Sequence, residues 1–215
     1  MTTQQTSRRE FLKLTGVTLG VMAITCSGLG YAATRAPKFS APELAFEKDN
    51  AMKRRILITY ATRAGSTSEI AATLGETLAG RGFSVDVKPV TTAPSLHGYN
   101  AVILGSAVRM ANWLPEMVDF IKKNQEALSQ TPVALFTVHM LNLGEDQASR
   151  EARLAYLNAV CPLLKPVDEV FFAGKIDLDK LSFVDRLMVK MVQSPIGDFR
   201  DWHEIRAWSS VLFGE

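Results

Sequence analysis

Charge imbalance, cysteine and histidine are all scarce in this sequence. Of its 215 residues, 24 are Lys or Arg and 22 are Asp or Glu, a formal net charge of +2. Arg8, Arg9 and Lys13 against Glu10 account for that excess, so the chain beyond residue 33 tallies 21 against 21. A neutral body has no electrostatic footprint for nucleic acid and no long-range steering toward a charged partner. Two cysteines exclude a disulfide-stapled mini-protein, and if Cys26 leaves with a leader, Cys161 has no partner in the chain. The three histidines, His97, His139 and His203, stand far apart, and no metal site is expected. What the chain has is apolar residues: 47% are hydrophobic, with 14 Gly and 9 Pro. That composition excludes disordered and collagen-like chains and suits one well-buried core.

Charge is also missing locally. No charged residue occurs from Leu14 to Ala33, where Gly and Thr dilute the apolar positions. Ser7-Arg8-Arg9-Glu10-Phe11-Leu12-Lys13 precedes this run, and the small residues of Gly28-Leu29-Gly30-Tyr31-Ala32-Ala33 suit a signal peptidase. Polar, apolar and cleavage regions in this order make an export signal. The S-R-R-x-F-L-K string resembles the twin-arginine signal. Retention as a membrane anchor and acylation of Cys26 are the competing readings; the diluted apolar run and Thr25 before the cysteine favour cleavage. Residues 1–33 are therefore expected to be a signal peptide for the twin-arginine export machinery, which carries folded, cofactor-loaded passengers, here to the periplasm. Residues 34–53, with Pro37 and Pro42, read as a linker, leaving 54–215 as one domain.

Within that domain strands and helices alternate. Ile56 to Ala61, Phe83 to Val90, Ala101 to Gly105, Val133 to Val138 and Val170 to Ala173 read as strands. Ser68 to Arg81, Trp113 to Leu128, Ala148 to Val160 and Asp201 to Leu212 read as helices, the last capped by Asp201 with Glu204 at its third position. Apolar strands alternating with helices predict an α/β fold, a doubly wound five-stranded parallel sheet with helices on both faces.

Ligands of such sheets bind beyond the carboxyl ends of the strands. The loop after the first strand reads Thr62-Arg63-Ala64-Gly65-Ser66-Thr67 and runs into a helix. Hydroxyls at both ends, a central glycine and a helix N-terminus make a phosphate cradle. No Gly-Lys-Ser/Thr is present for ATP, and no G-x-G-x-x-G follows this strand for a dinucleotide.

Thr62-x-Ala64-Gly65-Ser66-Thr67 after a first strand resembles the FMN-phosphate loop of flavodoxins, and the resemblance runs from about Arg55 to Phe213. Ile58-Thr59-Tyr60-Ala61-Thr62, Leu104-Gly105-Ser106-Ala107-Val108-Arg109, Phe183-Val184-Asp185-Arg186-Leu187-Met188-Val189-Lys190 and Asp201-Trp202-His203-Glu204 are similar to one branch, the menaquinone-dependent flavodoxin-like protoporphyrinogen dehydrogenases of bacteria. The resemblance implies FMN with its phosphate on Thr62 to Thr67. It implies an isoalloxazine ring between the Ser106–Trp113 and Thr137–Leu143 loops, which brings Ser106, Ala107, Arg109, Trp113, Thr137 and His139 to the ring. It further implies electron transfer between an organic substrate and a quinone; a flavodoxin-type carrier serving a redox partner protein is the alternative.

Each residue also has a plainer reading. On it Thr62 and Thr67 only cap a helix, Arg63 and Arg109 pair with surface acids, Trp113 is core, and His139 is structural. Between Ile176 and Asp201 the chain carries an extra segment in which Phe183, Leu187, Met188 and Met191 share a helical face. Residues 181–192 are either a helix packed into the domain or an amphipathic lid that meets the membrane or a large apolar substrate.

Overall fold

Alternation along the strands decides which helix covers which face. The structure, a computed structural model, describes residues 42–46 and 54–214. The export signal lies outside the described residues. On β2 (Arg55–Ala61, counting a short β1 at Leu44–Phe46), Ile56, Ile58 and Tyr60 point to one side, Leu57 and Ala61 to the other. Helix α1 (Ser66–Gly80) covers the first side with Ile70, Ala71, Leu74 and Leu78, all sealed from water. Each such aliphatic side chain contributes about 2 kcal/mol by its burial. The expected alternation of the next strand holds: Val85 and Val87 of β3 (Ser84–Pro89) are buried in the same core.

After β4 (Ala101–Arg109) the chain doubles back as β5 (Asn112–Trp113), and α2 (Pro115–Lys123) and α3 (Gln125–Ser129) follow. The single helix expected over 113–128 is divided at Asn124, whose Nδ2 donates to the Phe120 carbonyl at 2.8 Å. Met117, Phe120, Ile121 and Leu128 fill the second core, below the other face of the sheet. Strand β6 (Val133–His139) is buried at every position. Helix α4 (Gln147–Ala155) stops earlier than its pattern suggests, and the turns after it carry Leu157, Val160 and Leu164 into the second core. Strand β7 (Asp168–Ala173) ends the sheet, and α6 (Trp202–Val211) returns to the first face, where Ile205 packs. Asp201 caps α6 as expected, its Oδ1 accepting from the His203 and Glu204 amides at 2.8 and 3.0 Å.

The strands run β1-β3-β2-β4-β6-β7 across the sheet, and the five from β3 to β7 are parallel. This is the expected doubly wound α/β sheet with helices on both faces. Close approach of β4 to β6 needs Gly105: a Cβ there would lie 1.9 Å from Phe136 Cζ. Part of the segment read as a linker is structured, since β1 adds an antiparallel edge to β3 through Leu44↔Val87 and Phe46↔Val85. Tyr60 Oη donates to the Pro42 carbonyl at 3.0 Å, and burial beside Glu43 pushes the phenol up to about 12.

The extra segment is built as a lobe. Strands β8 (Lys175–Ile176) and β9 (Gly197–Asp198) pair as its base, and α5 (Phe183–Met191) is its body. Ser182 caps α5 by accepting from the Asp185 amide. Among the described residues no helix is long and apolar enough to cross a membrane.

Candidate functional site

Beyond the carboxyl ends of β2, β4 and β6 lies a cavity of about 460 Å³, within the range of small-molecule pockets. One wall is the 62–67 loop. Gly65 is the N-cap of α1 at φ 89°, a left-handed conformation that suits glycine. No side chain caps the helix; the Ser68 and Glu69 amides donate to the Gly65 carbonyl at 3.1 and 3.2 Å, while the Ser66 and Thr67 amides meet no acceptor among the described residues, at the positive end of the helix dipole. Thr62 Oγ1 accepts from Gly65 N at 3.0 Å and holds the turn closed. Ser66 Oγ accepts from Lys175 N at 3.0 Å, tying the loop to the base of the α5 lobe.

Thr67 differs from its neighbours. Its hydroxyl is sealed from solvent and has no hydrogen-bond partner, while the residue lines the cavity. A buried hydroxyl left unmade costs about 1–3 kcal/mol. An uncapped helix start with an orphaned hydroxyl beside it is a site for anionic oxygens, the chemistry of a phosphate ester.

The opposite walls come from the loops after β4 and β6 and from α5. Ala107 and Arg109 line the cavity, and Arg109 Nη2 donates to Asp185 Oδ1 at 3.0 Å, fastening α5 to β4. Asp185 Oδ2 accepts from Ser182 Oγ at 2.6 Å, so the carboxylate is held from both sides. Leu181, Met188, Val189 and Val192 close the cavity with apolar surface. His139 lines it at the end of β6, its Nδ1 2.7 Å from the Leu141 carbonyl. Burial, more than any other influence, pushes the imidazole below its ordinary 6.5.

The Flavodoxin domain model matches residues 57–202, a span that contains β3 to β9, all of β2 but its first two residues, and the loops just described. The chain belongs to the flavodoxin domain family. It is similar to the protoporphyrinogen IX dehydrogenase [quinone] of Escherichia coli K12, with 25% identity over 166 residues, covering 70% of this chain and 90% of that protein. The enzyme of the same name from Leishmania major is 25% identical over 174 residues, covering 73% of each. Among solved structures, oxidised flavodoxin 2 from Bacillus cereus overlaps 65% of this chain and 98% of its own, with 21% identity and a TM-score of 0.42.

In this flavodoxin domain the residues expected at the site divide into those that line the cavity and those that do not. Thr62, Arg63, Ala64, Ser66, Thr67, Ala107, Arg109 and His139 line the cavity, with Gly65 shaping its loop. Trp113, expected at the ring, is not in the cavity lining. It is 2% exposed in the second core, because pairing with Val108 folds β5 back over β4. There its Nε1 donates to Thr137 Oγ1 at 2.9 Å, which occupies Thr137 as well. Ser106 is equally spent: its Oγ accepts from Leu114 N at 3.0 Å. Arg63 is paired with Glu116 through both carboxylate oxygens.

Sequence reasoning missed Tyr156, which lines the cavity 5.9 Å from the His139 ring, and Gly174. Asn142 Nδ2 donates to Tyr156 Oη at 2.7 Å and holds it there. A Cβ on Gly174 would crowd Val138 at 2.9 Å and Ser66 Oγ at 3.4 Å, so this glycine lets β7 leave past the phosphate loop. A second hollow, lined by Arg54, Phe83, Asn100 and Phe213, lies at the opposite end of the strands, away from the helix start.

Proposed function

We propose that the chain is an exported, periplasmic FMN oxidoreductase that passes electrons between an organic, protoporphyrinogen-like substrate and a quinone. The observation that carries this reading is the roof of the cavity: α5 and the residues that flank it lay Leu181, Met188, Val189 and Val192 over the space beside the phosphate cradle. A carrier needs only an exposed ring edge, whereas an apolar chamber suits a substrate that must enter, turn over and leave. The chain's own groups fit FMN. The α1 N-terminus, Thr62 and the unpartnered Thr67 hydroxyl would hold the phosphate. The loops carrying Ala107, Arg109 and His139 would flank the ring. When bound, FMN supplies a reversible two-electron acceptor, which no side chain of the cavity offers. Oxidation of the substrate releases two electrons and two protons, and reduction of the quinone to quinol takes up the same number.

The outer side of α5 supports a membrane-soluble partner. Phe183 is 80% exposed and Met191 69%, with Leu187 between them. Arg186 and Lys190 lie on the same helix. Apolar and basic groups together suit the interface of an anionic bilayer, so peripheral membrane contact through 181–192 is part of the proposal. The twin-arginine leader supports passage through the twin-arginine export machinery, with FMN loaded before export.

The test is the full chain, purified from the exported fraction. The expected result is a flavin spectrum, release of FMN on heating, and anaerobic turnover of protoporphyrinogen IX with menadione. A yellow protein that turns over neither substrate would instead be a carrier for a redox partner. A colourless protein that refuses added FMN overturns the reading.

A further inference from the structure

His139 is the one imidazole in the cavity lining, and its surroundings fix what it presents. Its Nδ1 lies 2.7 Å from the Leu141 carbonyl. A carbonyl only accepts, so Nδ1 carries the proton and Nε2 carries the lone pair. Phe171 packs edge-on at 6.4 Å and Tyr156 tilts against the ring at 5.9 Å, so the orientation is set by packing. Among the described residues, only Thr59 Oγ1 and Thr67 Oγ1 are both sealed from solvent and unpartnered. Nε2 has no partner among the described residues, and the opening that His139 lines is the cavity. Beyond it, the Met140 and Leu141 amides meet no acceptor among the described residues. The loop therefore offers an unprotonated nitrogen acceptor next to unspent N–H donors. The complement of that set is an imide edge, an N–H between two carbonyls, as in the pyrimidine-dione part of an isoalloxazine.

We propose that His139 is a flavin-recognition residue, its Nε2 accepting a hydrogen bond from the imide N–H of the ring, and that protonating it ejects this contact. The inference rests on the FMN reading above and concerns affinity, not turnover. As imidazolium, Nε2 would become a donor facing a donor. The charged groups around it oppose protonation or are already paired. Arg153 on α4 disfavours the cation while bonding the Asn142 and Gly144 carbonyls. Around the cavity, Arg63 is held by Glu116 and Arg109 by Asp185. Lys175 on β8 adds a further positive charge. Asp185 is the acid in the lining, and Arg109 and Ser182 share its oxygens.

The experiment is calorimetric titration of FMN and of riboflavin into the flavin-stripped full chain between pH 5 and 8. It is repeated on His139→Gln and His139→Phe, with folding of each variant checked by circular dichroism. FMN's own phosphate titrates in this range for every variant, and riboflavin isolates the ring. The expected result is a loss of riboflavin affinity of about tenfold on the acid side, the scale of one hydrogen bond, seen only with His139. His139→Gln, whose amide oxygen accepts without titrating, binds better than His139→Phe at every pH and lacks the acid-side loss. Nitrogen NMR of the flavin-free chain should show Nδ1 protonated, with Nε2 shifting when riboflavin is added. Equal pH slopes for the wild type and both variants, or a proton resident on Nε2, would overturn this inference and leave FMN binding intact. Failure of the wild type to bind either flavin would overturn both.

Discussion

Thr67 separates the two purposes a buried hydroxyl can serve. Its Oγ1 has no partner and is sealed from water, as is Thr59 Oγ1, but of these two residues Thr67 is the one in the cavity lining. Val has nearly the same shape and no hydroxyl to leave unmade. Thr67→Val is therefore expected to stabilise the flavin-free chain by about 1 kcal/mol and to weaken FMN binding by about tenfold. Urea unfolding and calorimetry read the two effects, and a variant that loses stability would mean the hydroxyl is paired in solution. The position of the 62–67 loop on the cavity was legible, because an apolar strand, a glycine-centred turn and a helical pattern in succession put it at the carboxyl end of the sheet. Trp113 was not. Which way its ring turns depends on the two-residue β5 and on the turn at Met110 and Ala111, both at positive φ without being glycine. Tyr156 was hidden for another reason: its path to His139 runs through Asn142 and the fold of a distant helix.

Helix α5, with the residue that ends it, presents two different faces. Asp185, Met188, Val189 and Val192 look into the cavity, while Phe183, Leu187 and Met191 look outward. No residue of α5 is fully buried. Apolar burial that complete folding would favour is thus left undone on the outer side, which a lipid surface would complete. Phe183→Glu with Leu187→Glu is expected to cut binding to vesicles of anionic phospholipid at least severalfold, because each change removes buried apolar area and adds like charge. FMN affinity should be unchanged, since neither side chain lines the cavity. Vesicle co-sedimentation and calorimetry on the same preparations check both halves; a parallel loss of FMN would make α5 a core element. The amphipathic pattern of 181–192 was visible in the sequence, but lid and core give the same pattern. What the pattern could not show is where the segment docks: the Arg109–Asp185 contact that fastens it to β4 spans 76 positions in sequence. Strand β1 was invisible for a simpler reason. Three residues after Pro42 carry no periodicity, and only the exposed edge of β3 makes them a strand.

Across the whole molecule, titratable groups held away from their ordinary values set the pH range in which the fold holds. The imidazole of His139 sits below its ordinary 6.5, mainly through burial. An unfolded chain therefore takes up a proton there that the native chain refuses, and stability rises with pH across that interval. Its contribution is complete above 6.5 and is lost as pH falls through the lowered value. Asp146, Asp198 and Asp201 are held below the ordinary 3.8 by hydrogen bonds from Ser149, from Arg200 and from the first amides of α6, so their share is lost only at stronger acid. Glu204 works in the other direction, raised from 4.5 by burial, and gains stability as pH falls through its folded value. At the alkaline end Tyr60 and Tyr99 are both pushed from 10 to about 12, chiefly by burial. There the unfolded chain gives up protons that the native chain keeps, and stability falls as pH rises from 10 toward 12. Urea unfolding of the flavin-free chain is thus expected to show a plateau between about pH 6.5 and 10. His139→Gln should flatten the limb just below 6.5, and Tyr60→Phe should soften the limb above 10. Comparing each variant with the parent cancels the groups common to both. An acid limb that survives His139→Gln unchanged would show that the imidazole already carries its proton in the native cavity.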